Sequence, residues 1–146
     1  MQTAHLTLRE LSPTDGPALA AILADSEVMR YSVRGVMSPH ATDEFIQWCV
    51  ESYADSGFGP WAVVDNTSGA LAGFCGLNQE RVDGADEIEL GYRLAPQFWG
   101  RGLATEAVHA TLEHGFVALG LASIIAIVQP GNAASVRVIQ KSGFNS

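Results

Sequence analysis

Basic residues are scarce in this chain. Lys and Arg number 8 against 16 Asp and Glu, a net charge of −8 at pH 7. Without a clustered positive face, counter-ion release cannot drive binding to a nucleic-acid backbone, and that class of partner is excluded. An acidic surface suits instead a cationic partner such as an amine. Cysteine is sparse too. Cys49 and Cys75 fall in different expected elements, one helical and one a strand, and read as buried free thiols. No apolar run is long enough to span a bilayer, and the N-terminus lacks the basic, apolar and small-residue order of a secretory leader. No membrane partner is expected, and the expected compartment is the cytoplasm. Four histidines, His5, His40, His109 and His114, make no metal set, since His109 and His114 stand five apart and miss the i, i+4 spacing of a helical ligand pair. Gly-Lys-Ser/Thr is absent, which excludes a Walker A loop, and no third glycine completes a dinucleotide fingerprint.

What is present is an ordinary globular composition, 47% hydrophobic over 146 residues, enough for one core. Leu6 and Leu8 alternate with polar residues as a strand ending at Ser12-Pro13, where Ser12 as N-cap, Pro13 and Asp15 start a helix carrying Leu19, Ile22 and Leu23. The same signature at Ser38-Pro39 opens a second helix with Phe45, Cys49 and Tyr53, closed by Ser56-Gly57. Trp61 to Asp65 and Ala70 to Leu77 are strands joined by Asn66-Thr67-Ser68-Gly69, an antiparallel hairpin. Asp83-Gly84-Ala85-Asp86 turns into a third consecutive strand. Late in the chain Ser123 to Val128 is a short β-branched strand, Gln129-Pro130-Gly131 breaks it, and Asn132 caps a final helix to about Ser142.

The organising stretch is Glu87 to Ala107. Ile88 to Leu94 is a strand ended by Ala95-Pro96. Gly100 and Gly102 punctuate a loop, and Leu103, Ala107, Val108, Leu112, Phe116 and Leu119 then recur at helical spacing. A helix whose first turn follows such a loop presents free backbone N–H groups and the positive end of its dipole, a site for phosphate. The element order is β-α-α-β-β-β-α-β-α. Gly91, in mid-strand, suggests a bulge or a close backbone approach.

This run resembles the pyrophosphate loop of the GNAT N-acetyltransferases, a Gln/Arg-x-x-Gly-x-Gly/Ala pattern opening a helix. Two registers fit, Gln97-x-x-Gly100-x-Gly102 and Trp99-x-x-Gly102-x-Ala104. The second is preferred because Ala107 and Val108 then fall on the family's apolar pair. Trp99 at the Gln/Arg position, with Glu-x-Gly-Tyr, Trp-Gly-Arg-Gly and Ala-Thr-Glu-Ala, is similar to the RimJ/RimL branch of ribosomal-protein N-terminal acetyltransferases. The resemblance implies an α/β (α+β) fold with a mixed, mostly antiparallel central sheet flanked by helices. Residues 1–146 would form one such domain, ending before the strand pair that follows Lys141-Ser142-Gly143-Phe144 in the family. Two readings of the missing strands stay open, a domain truncated at its C-terminus or a sheet edge completed by a partner chain, as in a homodimer.

Implied next are acetyl-CoA as co-substrate and direct transfer of its acetyl group to a primary amine, either a peptide N-terminus or a small molecule. Backbone groups around Tyr92, Arg93 and Leu94 would pair with the pantetheine arm. The N–H groups of Gly100, Arg101, Gly102, Leu103, Ala104 and Thr105 would hold the pyrophosphate. Glu89 is the candidate base with Glu87 in reserve, and Gly91 would aim an N–H at the thioester carbonyl. The family's leaving-group tyrosine is replaced by Ile139, while Asn132 and Ser135 match an Asn-x-x-Ser in which Ser135 bonds the thiol sulfur and Asn132 contacts the cofactor. The rival readings are a non-catalytic acyl-CoA-binding module, which needs no base, and a nucleotide-phosphate binder using the same helix end.

Overall fold

The computed structural model describes residues 1–32, 35–126 and 137. Five strands form one sheet in the order β1 (Leu6–Glu10), β2 (Pro60–Asp65), β3 (Leu71–Val82), β4 (Ala85–Leu94) and β5 (Ile125–Ala126). The first four pair antiparallel, and β5 runs parallel to β4 through Glu89↔Ile125 and Leu90↔Ala126. This is the mixed, mostly antiparallel sheet expected. Of the expected final helix only residue 137 is described, and it is helical, whereas Asn132, Ser135 and Ile139 lie outside the described residues.

Helices cover the two faces. Helix α1 (Gly16–Leu23) follows a tight turn at Pro13–Asp15, and α2 spans Pro39–Ser56. The Ser38 side chain accepts from the Ala41 N–H, and Gly57 ends α2 in the left-handed conformation, so the sequence signals at both ends operate. On one sheet face Phe45 of α2 meets Phe74 of β3, with ring centroids 5.1 Å apart. On the other, Cys75 Sγ lies 3.3 Å from Thr111 Oγ1 of α3 (Leu103–Glu113). Strand alternation therefore assigns Phe74, Gly76 and Asn78 to the α2 side and Cys75 and Leu77 to the α3 side. Cys49 and Cys75 are buried free thiols, and burial pushes both up to about 12.

Two tethers hold β1 to its surroundings. Arg9 donates through Nη1 and Nη2 to both oxygens of Asp15, at 2.9 and 2.8 Å, and this bonding holds the Asp15 carboxyl below the ordinary range despite its burial. Tyr53 Oη donates to the Pro60 carbonyl and accepts from the Leu11 N–H at 3.0 Å, tying α2 to β1 and β2 at once. Tyr53→Phe leaves both backbone groups without their partner and is expected to lower stability by about 1–3 kcal/mol, read as a shift in urea midpoint at constant slope.

The fold departs from expectation in three places. Strand β3 continues five residues beyond Leu77, and the β3–β4 connection is only Asp83-Gly84, with φ of 50° and 80°. Two successive left-handed residues make the tight turn whose twist suits a hairpin. No bulge occurs at Gly91. The β3–β4 ladder holds register from Gly73↔Leu94 to Val82↔Ala85, and the irregularity falls instead between Val63 and Val64 of β2. Just beyond α3, Phe116 does not join the buried face but is 45% exposed. Gly115 takes the inward position in a wider, π-type turn at His114–Ala118, where a Cβ would lie 2.8 Å from Ile124 Cδ1. The helix approaches the sheet too closely there for a large side chain.

Candidate active site

Strand β4 carries one set of residues on each face. Leu90, Tyr92 and Leu94 stand on the α3 side, opposite Leu77, Cys75 and Gly73. Glu87, Glu89, Gly91 and Arg93 stand on the α2 side, opposite Glu80, Asn78, Gly76 and Phe74. The expectation that Glu87 and Glu89 share a face is met. Glu89 is half-buried, and its pKa is raised, first by burial and then by the charge of Glu80, with Arg93 opposing. Burial also lowers the Arg93 pKa, and its Nη1 donates to the Tyr92 carbonyl at 2.6 Å.

Between Glu89 and Arg93 the strand has a gap. A Cβ built on Gly91 would meet no atom within 4 Å. The missing side chain leaves space on the α2 side, bounded along the strand by the Glu89 carboxylate. Beyond Arg93 lies an aromatic row in which Trp48 stacks on Phe45, with centroids 6.0 Å apart, and Phe45 meets Phe74. Sequence reading missed this row and the Glu80↔Glu87 pair. Alternation could have put Phe74 on the face of Gly76, but the α2 contact is tertiary and leaves no local pattern.

Backbone groups alternate as side chains do. The Ala95 N–H donates to the Ala72 carbonyl at 2.8 Å, so residues 91, 93 and 95 turn their peptide groups toward β3, and Leu94 turns its carbonyl to the β5 edge. The Gly91 N–H thus belongs to the β3 ladder. That direction differs from the aim at a thioester carbonyl that the resemblance implied.

At the end of β4 a tight turn at Pro96–Phe98 leads to Trp99, whose Nε1 donates to the Leu94 carbonyl at 2.7 Å. Gly100 and Gly102 follow with φ of 72° and 76°, conformations that side chains other than glycine resist. A Cβ at either would meet no atom within 4 Å, leaving room for a ligand against the backbone. Gly102 is the N-cap of α3 and no side chain caps it, so Leu103, Ala104 and Thr105 form an open first turn. The Arg101 guanidinium sits 5.7 Å from the Phe98 ring centroid. Ala107 and Val108 are both buried beneath the turn. Glu106 is drawn away from it, accepting from Thr3 Oγ1, from the His5 N–H at 2.9 Å and from His5 Nδ1 at 2.8 Å. Burial pushes Glu106 upward, but the Thr3 and His5 hydrogen bonds outweigh it and lower its pKa overall.

At one end of β4 the loop opens onto a helix start with no side-chain cap, and a carboxylate stands in mid-strand, with about 3.3 Å of strand per residue putting Glu89 about 16 Å from Leu94. An extended molecule with an anionic end would reach between them. Such a strand, loop and helix match what the resemblance to the acyl-CoA-dependent transferases implied. Residues 5–145 match the acetyltransferase (GNAT) domain family, and the chain belongs to that family.

Relatives agree. The chain is 30% identical over 145 residues to YoaA of Bacillus subtilis (strain 168), an uncharacterized N-acetyltransferase, covering 99% of this chain and 81% of YoaA. It superposes on a GNAT-family acetyltransferase of Bacillus anthracis with a TM-score of 0.82 at 29% identity, over 99% of this chain and 82% of that one. The ribosomal-protein acetyltransferase RimL in complex with coenzyme A shares the fold, with a TM-score of 0.81 at 19% identity over 98% and 81% of the two chains. The chain is accordingly an acetyl-CoA-dependent acetyltransferase that acts on an amine. Among the described residues no helix is long and apolar enough to cross a membrane.

Proposed function

We propose that the chain transfers the acetyl group of acetyl-CoA directly to a primary amine, a peptide N-terminus or a small molecule, bound on the α2 side of β4. The observation that carries this reading is Glu89, a half-buried carboxylate of raised pKa standing beside the space at Gly91. An incoming ammonium must lose a proton before it attacks, and a carboxylate whose basicity burial has increased is suited to accept it, directly or through water. Glu87 is the reserve acceptor on the same face.

The cofactor's pyrophosphate is assigned to the backbone from Gly100 to Thr105, where the helix dipole adds about 0.3–1 kcal/mol for an anion near the end of α3. Arg101 supplies positive charge next to it. Tyr92 and Leu94 present their peptide groups on the edge that the pantetheine arm would follow, and Arg93 shapes the α2 side. Ser135 and Asn132 keep the sequence-based roles of thiol and cofactor contact.

Steady-state kinetics with a panel of peptide N-termini and small amines tests the reading through release of the CoA thiol. Amine-dependent release with intersecting initial-rate lines is expected of direct transfer in a ternary complex. Parallel lines would indicate an acetylated enzyme and overturn direct transfer. Tight CoA binding without release for any amine would favour the non-catalytic module.

A further inference from the structure

Trp99 joins the last residue of β4 to the two left-handed glycines. The residue is 46% exposed, yet its indole N–H is committed to the Leu94 carbonyl at 2.7 Å. Water could satisfy that N–H at a half-exposed position, so burial does not require the bond. Its effect is geometric. The Leu94 carbonyl faces the β5 edge, at the point where β4 stops and the loop departs. The chain between is closed tightly, with Phe98 N–H donating to Ala95 and Trp99 N–H to Pro96, both at 3.0 Å. Beyond Trp99 come Gly100 and Gly102, the most permissive backbone of the loop, with only Arg101 between them. The indole is therefore the last fixed point before the open turn of α3.

We propose that Trp99 is a positioning residue for the cofactor's nucleotide half. By holding the Leu94 carbonyl, its indole N–H fixes the distance from the β4 edge to the first turn of α3, and so sets affinity for the pyrophosphate and not the rate of acetyl transfer. This rests on the assignment of the pyrophosphate to residues 100–105. A cradle of backbone N–H groups binds well only when its spacing is set beforehand, and a glycine loop cannot set its own.

Trp99→Phe keeps the ring and removes the donor. Calorimetry with CoA and with 3′-phospho-ADP, which lacks the pantetheine arm, is paired with kinetics at varied acetyl-CoA. The expected result is a five- to tenfold rise, roughly one neutral hydrogen bond, in both dissociation constants and in KM for acetyl-CoA, with kcat held within about twofold. Unchanged affinity overturns the proposal. So does a fall in kcat at constant KM, or weakening of CoA without weakening of 3′-phospho-ADP, which would place the indole's action on the arm. Equal losses in every quantity together with a lowered melting temperature would make Trp99 merely structural. Failure of the unsubstituted chain to bind CoA would overturn the cofactor site itself, whereas normal binding by both proteins overturns only the role of Trp99.

Discussion

Gly102→Glu is expected to abolish acetyl-CoA binding, weakening it by at least about 100-fold. Three effects combine at this position. Gly102 has φ of 76°, so any side chain is strained there by about 1–2 kcal/mol. The space beside it is open, and a glutamate chain would fill the room left for the ligand. Its carboxylate would also stand at the uncapped end of α3, taking the place of the anion. Against a pyrophosphate about 4 Å away it adds roughly 1 kcal/mol of repulsion per charge pair in water and about 4 near a protein surface. Gly102→Ala separates the terms, since it keeps the strain and removes the charge and most of the bulk. It is expected to cost about 1 kcal/mol of stability and less than tenfold in affinity. Calorimetry on the three proteins reads this directly. Full binding by Gly102→Glu would remove the cradle from the mechanism.

Glu89→Gln is expected to lower kcat by about 100- to 1,000-fold, the usual contribution of a positioned base, with acetyl-CoA affinity unchanged within about twofold. The substitution keeps the shape of the side chain and removes its proton-accepting charge. Because burial and Glu80 raise the folded pKa of Glu89 above its unfolded value, the charged form is disfavoured in the folded chain. Ionisation of Glu89 thus subtracts stability as pH rises through the folded pKa, and the neutral glutamine is expected to be neutral or slightly stabilising. Loss of rate would then not be loss of fold. The same shift fixes the pH profile. Activity that needs the carboxylate falls as pH drops through the Glu89 pKa, which lies above the ordinary 4.5, and Glu89→Gln removes that limb of kcat/KM. A mutant with full activity and an unchanged profile would pass the role to Glu87 or to water alone.

The parts of the fold that could be read in advance are those written in local chemistry. Ser38-Pro39 and Gly57 mark the ends of α2, and they do so because capping is a contact between near neighbours. The glycine loop and the start of α3 at Leu103 were legible for the same reason. The second half of β3 was not. Asn78 to Arg81 are polar, and among the described residues they pair only with β4, so no packed layer imposes an apolar alternation on them. Phe116 was misplaced because period alone does not record how close a helix lies to its sheet, whereas Gly115 does. At the site, Glu89 was found through its spacing from Gly91, but its pKa is raised first by burial and then by Glu80, which is nine residues away in sequence and is brought near by the hairpin, and both causes are tertiary. The Trp99 bond to Leu94 is likewise invisible to periodicity.

The Asp83-Gly84 turn closes a ribbon of uneven stiffness. Glu89 lies where the sheet is three strands wide, between Asn78 of β3 and Ile125 of β5. Glu87 lies two residues nearer the tip, where among the described residues only β3 accompanies it, and a two-stranded segment is marginal by itself. The ribbon behaves as a cantilever with its carboxylates at different heights. If Glu89 is the base, the lower one would keep a fixed address for the reacting nitrogen while the upper one leaned to suit the cationic body that carries it, so tolerance of varied acceptors and fidelity of proton removal would be separated along a single strand.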